Sequence, residues 1–462
     1  MQSENPIQIL QIGNGNFLRG FLDWMIDIAH EKDVFNGKIH TIQIHSKEED
    51  PRMQRQKNRF HVWEAGIANG KKVDQLKEIT CVSDYSCVYK SFEAFLQLAE
   101  NPDLQFVISN TTEAGIETNE EDQTFDSIPI TFPGKLTQFL LHRFHHFNGD
   151  SKRGLIFLPC ELIEKNGQSL KSSILWYADL WGLEAGFSNW INQACTFCDT
   201  LVDRIVPGFP KANYAEIAPR LDFEDELLVM AEPFHFWAIK GPEWLPQVFP
   251  LDQAGLNVKF VKDLGPFQTR KVRILNGAHT ALVPFAYLQG FRTVRECVEN
   301  AEIENWLKAL LFQEIIPSLD GRKDELESYS EDILERFANP FIRHELQSIA
   351  LNSISKFKVR VLPSMLDFHQ KFGKWPVRLL EAFAAIILFY KGNFKRTTLP
   401  VKDLPSVTSF FQNTWKNPDP NKLIHEVLGN KDLWGEDLNS YHGLTLELTQ
   451  ALEGLKLKLG RL

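Results

Sequence analysis

Ile7-Gln-Ile-Leu-Gln-Ile12, followed by Gly13-Asn-Gly-Asn-Phe-Leu-Arg-Gly20, is the stretch that decides the fold of the first half of the chain. The apolar run is typical of a buried strand, the glycines of a tight turn, and the residues from Phe21 to His30 have helical spacing. Strand and helix patterns keep alternating downstream, which predicts a parallel sheet with right-handed crossovers. The later predicted strands are 39–44, 104–109 and 155–158, and the helices between them include 92–99 and 136–144.

The second half of the chain has a different pattern. From about residue 267 onward strand-like runs are few and helical runs are many. The sequence therefore predicts an α/β fold, with a Rossmann-type parallel-sheet domain over residues 1–262 and a mostly α-helical domain over residues 263–462. The clearest helical runs of the second half are 303–315, 331–337, 379–390 and 444–457.

Composition excludes several classes of protein. The chain has 462 residues, of which 43% are hydrophobic and 24% charged, as in ordinary globular proteins. The net charge of −10 argues against non-specific nucleic-acid binding, which needs a positive face. Six irregularly spaced cysteines and no signal-like start favour a cytoplasmic protein with reduced thiols. The most apolar stretch, 382–390, is about half of the roughly 18 residues that a membrane helix needs. Since neither nucleic acid nor a membrane is favoured, a small molecule is the expected partner.

The first glycine turn suits a dinucleotide. Gly13 and Gly15 let the backbone approach a pyrophosphate, and the following helix presents free N–H groups to it. The motif is incomplete, because Leu18 occupies the place of the third glycine and Gly20 comes two residues later. Arg19 would add a phosphate contact. A purely structural tight turn is the alternative, and the glycines alone do not separate the two.

Two other strand ends carry polar groups. Ser109-Asn-Thr-Thr-Glu-Ala-Gly115 follows a strand, where hydroxyls and amides would bind a ribose or a nicotinamide carboxamide, or would simply cap a helix. The second strand ends Ile44-His-Ser-Lys47 without the usual acidic residue, although Glu48, Glu49 and Asp50 follow. The choice between NAD and NADP therefore stays open.

Lys271, Asn276 and His279 form the strongest catalytic candidate. In a regular helix they would lie at about 0°, 140° and 80° around the axis, within one broad face. A neutral lysine accepts an alcohol proton, which requires its ordinary pKa near 10.4 to fall toward about 7 to 8. Asn276 would stabilise the alkoxide and His279 would orient the substrate. A surface lysine with a buried asparagine and histidine is the bland alternative.

Other clusters are weaker. Cys195 and Cys198 favour buried thiols over half of a zinc motif, and His142, His145 and His146 favour a solvated helix end. The aromatic run 232–237 would line a pocket or fill a core. Four cationic residues in the helical half would suit an anionic substrate or a solvated face, namely Arg343, His344, Lys356 and Arg360.

At the Lys271 motif the chain resembles the polyol-specific long-chain dehydrogenases, the family of mannitol dehydrogenase. The resemblance extends over nearly the whole chain. The segments that carry it are Gly13–Phe21, Ser109–Ile116, Pro159–Ile163 with Asn166-Gly167, Thr200–Val206, Arg270-Lys271, Leu275–Pro284, Glu314–Pro317, Asn339-Pro340 and Ser348–Asn352.

The resemblance implies an NAD-linked, metal-independent oxidoreductase with its site between the two domains. Lys271 would be the acid/base, Asn276 would polarise the reacting oxygen, His279 would hold the substrate, and Asp203 would tune Lys271. Leu162 stands where mannitol dehydrogenases carry a second asparagine, so either Asn166 replaces it or one amide suffices. Residues expected to contact NAD are Ile12, Gly13, Asn14, Gly15, Asn16, Phe17, Leu18, Arg19, Ser109, Asn110, Thr111, Thr112 and Glu113, and those expected to contact substrate are Asn166, His344, Lys356 and Arg360.

The resemblance also implies a small sugar-acid substrate, with a neutral polyol as the alternative. A protein that binds NAD without catalysis is a further alternative, against which the retained lysine, asparagine and histidine argue. The sequence leaves open the oligomeric state and the direction of the reaction.

Overall fold

The chain folds into two compact units. The computed structural model describes residues 5–111, 115–124, 127–395 and 397–461. The first unit contains the residues up to Ala65 and Lys72–Leu264, and the second contains Gly66–Lys71 and Gly265–Leu462. The short segment 66–71 was not foreseen in the second unit, and the predicted boundary after residue 262 stays a prediction.

A six-stranded parallel sheet forms the centre of the first unit. Its strand order is β5-β2-β1-β6-β7-β8, and each neighbouring pair is parallel. The predicted Rossmann-type architecture is therefore confirmed. The strands are β1 (Ile7–Ile12), β2 (Lys38–Gln43), β5 (Val82–Cys87), β6 (Phe106–Ser109), β7 (Ile156–Pro159) and β8 (Thr196–Phe197).

The register of the sheet brings three polar strand ends to one edge. Ile12 pairs with Ser109, and Ser109 pairs with Pro159, so β1, β6 and β7 end side by side. In an open parallel sheet this carboxyl edge is where ligands bind.

Apolar side chains cover both faces of this sheet. Along β1, Ile9 belongs to one buried cluster while Leu10 and Ile12 belong to the other, as the two-residue period of a strand requires. The α-helices of the first unit are Asn16–Leu18, Trp24–Glu31, Pro51–Arg55, Phe92–Gln97, Phe132–His146, Asn166–Leu180, Ala185–Gln193, Tyr214–Ile217 and Leu245–Val248.

Two three-stranded sheets complete the first unit, and the sequence patterns did not predict them. In one of them the signal is weak because the strand Lys71–Ile79 is mostly polar. The strands of the other are only four or five residues long. Neither sheet therefore has a strong period-two signal in the sequence. The first sheet has the order β10-β3-β4 and the second β12-β11-β9. Their strands are β3 (Phe60–Ala68), β4 (Lys71–Ile79), β9 (Asp199–Asp203), β10 (Val229–Ala231), β11 (Phe236–Lys240) and β12 (Val258–Val261).

The second unit is mostly helical, as predicted. Val377–Phe389 is buried over most of its length and packs against Gly277–Leu288 and Leu444–Arg461. Within its described residues, the only strand pairing from residue 265 onward joins β13 (Asn393–Phe394) and β14 (Thr397–Thr398). Its other α-helices are Gly265–Arg270, Val294–Glu299, Ala301–Ala309, Ile316–Ser318, Lys323–Phe337, Leu346–Ile349, Ser353–Arg360, Leu362–Phe372, Pro405–Thr414, Pro420–Leu428 and Lys431–Trp434.

Two long helices contain a wider π-helical turn. Arg19–Asp23 interrupts the helix that starts at Asn16, and Lys271–Asn276 joins Gly265–Arg270 to Gly277–Leu288. A third such turn covers Leu310–Ile315. Turns of this kind are frequent at functional sites. Across the described residues, no helix is both long and apolar enough to span a bilayer.

Candidate active site

The glycine turn after β1 has the geometry of a close backbone approach. Gly13 has a φ of 109°, which favours glycine, and its N–H donates to the carbonyl of Ile42 at 2.8 Å. A Cβ on Gly13 would lie 3.1 Å from the carbonyl oxygen of Asn110. At Gly15 a Cβ would meet nothing within 4 Å, so this residue faces open space.

The helix that follows the turn begins five residues earlier than predicted, at Asn16 rather than at Phe21. Its N-cap residue is Gly15, which offers no side chain to the first N–H groups. Those groups remain available to an anion, and the helix dipole favours one. The turn therefore fits a pyrophosphate.

Gly20 allows the close helix packing that the third glycine of the motif usually allows. A Cβ at this position would lie 2.9 Å from Cγ1 of Val206 and 3.0 Å from Cγ1 of Val229. Leu18, which stands at the usual position, is buried in the core instead. The helix thus approaches its neighbours closely two residues later than the common fingerprint requires.

Gly20→Ala and Gly15→Ala are expected to affect two different properties, stability and NADH binding. Gly20→Ala should lower the free energy of unfolding by about 1–3 kcal/mol, because the added methyl overpacks the two valines. Gly15→Ala should leave stability nearly unchanged but weaken NADH binding, because its methyl would occupy the open face of the turn. Urea titration and NADH fluorescence measure the two effects. Equal stability of both variants would contradict this account of Gly20.

Arg19, which the sequence suggested as a phosphate contact, is buried and hydrogen-bonded within the first unit. Its guanidinium is 6% exposed and donates to the carbonyl of Leu227 and to Oδ1 of Asn16, the latter at 2.7 Å. Burial lowers the pKa of Arg19 to about 10. These hydrogen bonds hold the Arg19 guanidinium between Leu227 and Asn16. Its contact with a phosphate stays a prediction.

The segment after β6 is held by a buried carboxylate that the sequence analysis missed. Glu161 is 2% exposed and accepts from Ser109 Oγ at 3.1 Å, the Thr111 N–H at 3.0 Å and Thr111 Oγ1 at 3.1 Å. Burial raises the pKa of Glu161, while these donors oppose the rise. Its place directly after β7 was the available signal. Thr112 and Glu113, also predicted to contact NAD, lie outside the described residues.

Asn166 has a structural role in place of the predicted contact with substrate. Its side-chain nitrogen lies 2.9 Å from the Pro159 carbonyl, 3.0 Å from the Glu161 carbonyl and 3.1 Å from the Thr200 carbonyl. Its side-chain oxygen accepts from the Gly167 and Thr200 N–H groups. The amide is 1% exposed, so no hydrogen is left for a ligand and the prediction is corrected.

Two other positions that the sequence singled out lie in the first unit. Asp203 is buried at the end of β9, opposite Phe236. Leu162, which replaces the second asparagine, is 59% exposed. The proposed effect of Asp203 on Lys271 stays a prediction.

Two of the three acidic residues after β2, Glu49 and Asp50, form ion pairs with basic side chains. Asp50 accepts from the Arg52 N–H at 3.1 Å and from Arg52 Nη2 at 2.6 Å, which caps the following helix. Glu49 pairs with Lys90 at 2.6 Å.

In the second unit, Lys271 and Asn276 are the first and last residues of the π-helical turn. The Gly277 N–H bonds to the carbonyl of Val272, five residues back. In a π-helical turn, two residues that are five positions apart are more nearly aligned along the helix axis than they are in an α-helix. The predicted angle of about 140° between Lys271 and Asn276 is therefore too large, and the correction strengthens the shared face. Among the described residues the Asn276 side-chain amide has no hydrogen bond.

His279, on the next turn, is buried against aromatic rings. It stacks on Phe337 at 4.1 Å and meets His344 edge-on at 5.0 Å. Burial first, and then His344, Arg336 and Arg360, lower the pKa of His279 well below its ordinary value. The imidazole is therefore neutral at physiological pH. Its Nε2 has no hydrogen-bond partner within the described part of the chain.

Arg360 and Lys356 lie on a helix that approaches this face closely. A Cβ on Gly277 would lie 3.0 Å from the Arg360 carbonyl oxygen, so glycine permits the approach. Arg360 Nη1 is 3.5 Å from Thr280 Oγ1, and burial lowers its pKa. Lys356 donates to the Ile349 carbonyl at 3.0 Å, and burial followed by Arg360 lowers its pKa. Two predicted substrate residues, His344 and Arg360, thus surround a predicted catalytic one.

The weaker candidates have structural explanations. Cys195 and Cys198 are buried free thiols, and burial raises both pKa values to about 12. His142 and His145 pair with Glu100 and Glu184 near a helix end. In the aromatic run, Trp237 is fully buried in the core of the first unit.

A Rossmann-type sheet with a dinucleotide turn, joined to a helical unit that carries a lysine, an asparagine and a histidine, defines a two-domain dehydrogenase. Residues 7–251 match the family model of the mannitol dehydrogenase Rossmann domain, and residues 263–456 match that of the mannitol dehydrogenase C-terminal domain. The chain belongs to the mannitol dehydrogenase family, and the resemblance expected from sequence is confirmed.

Relatives over nearly the full length are altronate oxidoreductases. The protein of that name from Bacillus subtilis (strain 168) is 44% identical, with 96% of this chain and 91% of that protein covered. The one from Phocaeicola vulgatus is 40% identical, with 99% and 96% covered.

Two solved structures share the fold. Substrate-free D-sorbitol dehydrogenase has a TM-score of 0.80 at 21% identity, with 98% of this chain and 94% of that chain covered. Mannitol 2-dehydrogenase from Pseudomonas fluorescens, in a ternary complex with NAD and D-mannitol, has a TM-score of 0.68 at 20% identity, with 100% and 95% covered.

Proposed function

We propose that the chain is an NAD-dependent oxidoreductase that interconverts D-tagaturonate and D-altronate in the cytoplasm. The altronate oxidoreductases that it resembles at 40–44% identity support this substrate pair. The observation that carries the proposal is the surroundings of His279, where Arg360, Arg336 and His344 lie close to a catalytic-type histidine. The two arginines at this point suit a substrate that carries a carboxylate.

Residues of the first unit would hold the cofactor. Gly13 and Gly15 leave room for a pyrophosphate at an uncapped helix start, and Thr111 is fixed at the neighbouring strand end. When bound there, NADH supplies the hydride. We retain NAD rather than NADP as the proposed cofactor because of the family.

Residues of the second unit would handle the substrate and the proton. Lys271 donates a proton to the keto oxygen during reduction, and takes it back from the alcohol during oxidation. The Asn276 amide donates a hydrogen bond to the same oxygen as negative charge develops on it. The neutral His279 orients a substrate hydroxyl through Nε2, and Arg360 binds the carboxylate. No step in this scheme requires a metal ion.

A substrate panel tests the proposal. The enzyme should oxidise NADH rapidly with tagaturonate, more slowly with fructuronate, and very slowly with the neutral ketose fructose. The same panel with NADPH checks the cofactor. A higher kcat/KM for fructose than for tagaturonate would replace the proposed substrate with a polyol.

Arg360→Gln is expected to raise KM for tagaturonate by about 10- to 100-fold, because a charge-assisted hydrogen bond of about 1.5–3 kcal/mol is lost. The weak rate with fructose should hardly change, since fructose has no carboxylate. Arg343→Gln is the matched control, because its side chain is 81% exposed and paired with Glu345. A similar loss for both substrates would show that Arg360 acts on structure and not on the carboxylate.

A further inference from the structure

An arginine side chain connects the π-helical turn Lys271–Asn276 to a neighbouring helix. Arg273 lies inside this turn, and its side chain is 11% exposed. Its Nε donates to Ser364 Oγ at 2.6 Å, and its Nη2 donates to Asp367 Oδ2 at 2.6 Å. Both partners lie on the helix Leu362–Phe372. Two N–H groups of one guanidinium therefore attach the turn to this helix, and we call the three side chains the Arg273 anchor.

The two hydrogen bonds differ in their surroundings. Asp367 is 45% exposed, and an ion pair with such a residue would by itself hold a turn weakly. Ser364 is fully buried, so its hydroxyl fixes the Nε side of the guanidinium away from water. A planar guanidinium that binds two partners in a fixed geometry also restricts the orientation of the residue that carries it. The Arg273 anchor is therefore a geometric constraint on the turn.

The π-helical turn needs such a constraint. Its hydrogen bonds span five residues, as from the Gly277 N–H to the Val272 carbonyl, and this winding is rare in proteins. In an ordinary α-helix Lys271 and Asn276 would point about 140° apart. A return to α-helical winding would rotate one side of the turn relative to the other and separate these two side chains. Contacts that hold the wide turn in place therefore decide whether they share a face.

The anchor also connects the turn to the segment that contains Arg360. Ser364 follows Arg360 by four residues, and Val361 separates their two helices. At the end of the turn, a Cβ on Gly277 would lie 3.0 Å from the Arg360 carbonyl oxygen. The turn thus contacts this segment at two places, through Gly277 and through the side chain of Arg273.

We propose that Arg273 is a positioning residue that holds the π-helical turn against the segment containing Arg360, and thereby directs Lys271 and Asn276 to the same substrate oxygen. Arg273 acts through these two residues and contacts neither substrate nor cofactor. The inference rests on the function proposed above, because it concerns the same site.

Arg273→Gln is expected to lower kcat for tagaturonate by about 10- to 100-fold, because misplacing reacting groups by about 1 Å costs up to about 100-fold. KM for tagaturonate and Kd for NADH should stay within about twofold, since Arg360 and the glycine turn remain in place. The slow rate with fructose should fall by the same factor, because Lys271 and Asn276 act on either substrate. A raised KM for tagaturonate alone, as expected for Arg360→Gln, would make Arg273 a substrate-binding residue and overturn the proposal.

Single-turnover kinetics separate positioning from folding. With enzyme in excess over NADH, the fraction of folded enzyme sets the amplitude of NADH oxidation, whereas the alignment of the reacting groups sets its rate constant. Arg273→Gln should have a normal amplitude and a rate constant that is about 10- to 100-fold lower. A reduced amplitude with a wild-type rate constant would give Arg273 a purely structural role and overturn the proposal.

Asp367→Asn tests the anchor from its other side, at a half-exposed position that the fold tolerates. It keeps a hydrogen-bond acceptor and removes the charge, so kcat should fall in the same direction, by about 2- to 10-fold. In the double variant with Arg273→Gln the two losses should not multiply, because the residues form one unit. Losses that multiply, or a wild-type kcat for Asp367→Asn beside a low one for Arg273→Gln, would show that Arg273 acts without Asp367 and overturn the anchor.

Arg295→Gln is the matched control. Arg295 also lies in the second unit and pairs with a carboxylate, Glu299, at 2.7 Å, but its side chain is 44% exposed. Its replacement should leave kcat and the single-turnover rate constant unchanged. Wild-type kinetics in Arg273→Gln would contradict the anchor, whereas a wild-type protein that does not turn over tagaturonate would contradict the proposed function.

Discussion

Lys271→Ala is expected to lower kcat by about 10³-fold, since general acid–base groups contribute roughly 10²- to 10⁴-fold. Lys271 lies at the start of the π-helical turn, on the face that also carries Asn276. NADH binding should remain, because the glycine turn belongs to the other unit of the chain. Steady-state kinetics with tagaturonate and NADH fluorescence titration measure the two properties.

Lys323→Ala provides the matched control for this experiment. Lys323 also lies in the second unit, has a 76% exposed side chain and pairs only loosely with Glu327 at 3.4 Å. Its replacement should leave kcat unchanged. Wild-type turnover in Lys271→Ala would remove lysine from the mechanism, and the loss of NADH binding would give it a role in the fold.

Asn166→Ala is expected to destabilise the first unit by about 3 kcal/mol or more, because its removal leaves several buried backbone groups without partners. The Thr200 N–H and the Pro159 and Glu161 carbonyls all lose contacts with the side-chain amide. Urea-induced unfolding measures this loss. KM for tagaturonate in the folded fraction should stay close to the wild-type value.

Asn192→Ala is the control, since that amide makes an exposed bond to the Ser188 carbonyl at 2.9 Å. Its replacement should change stability by less than about 0.5 kcal/mol. Normal stability combined with a large rise in KM for Asn166→Ala would return Asn166 to the substrate site.

Asn166 and Arg360 differ in how far their role could be predicted from the sequence. Both were assigned to the substrate from sequence, but the Asn166 amide is bonded to backbone groups of the first unit, whereas Arg360 lies near His279 in the second. The sequence does not distinguish an asparagine that binds a ligand from one that connects two strand ends by hydrogen bonds. The partners of its amide are Pro159 and Glu161, which are near it along the chain, and Thr200, which is 34 residues further on.

The sequence alone determined the alternation of strands and helices in the first half, the change to helices in the second, and the catalytic-type spacing of Lys271, Asn276 and His279. These features are local, because hydrophobic period and glycine positions report on neighbours within a few residues. The family membership followed from the same motifs.

Only the tertiary structure decided which polar side chains remain for chemistry. It joined Arg19 to Leu227 and Glu161 to Thr111, placed Phe337 on His279, and bonded Arg273 to Ser364. The physical reason is that burial and hydrogen-bond saturation depend on residues brought together from distant parts of the chain. A local sequence pattern shows the type of a side chain but not the groups to which it is hydrogen-bonded or against which it packs.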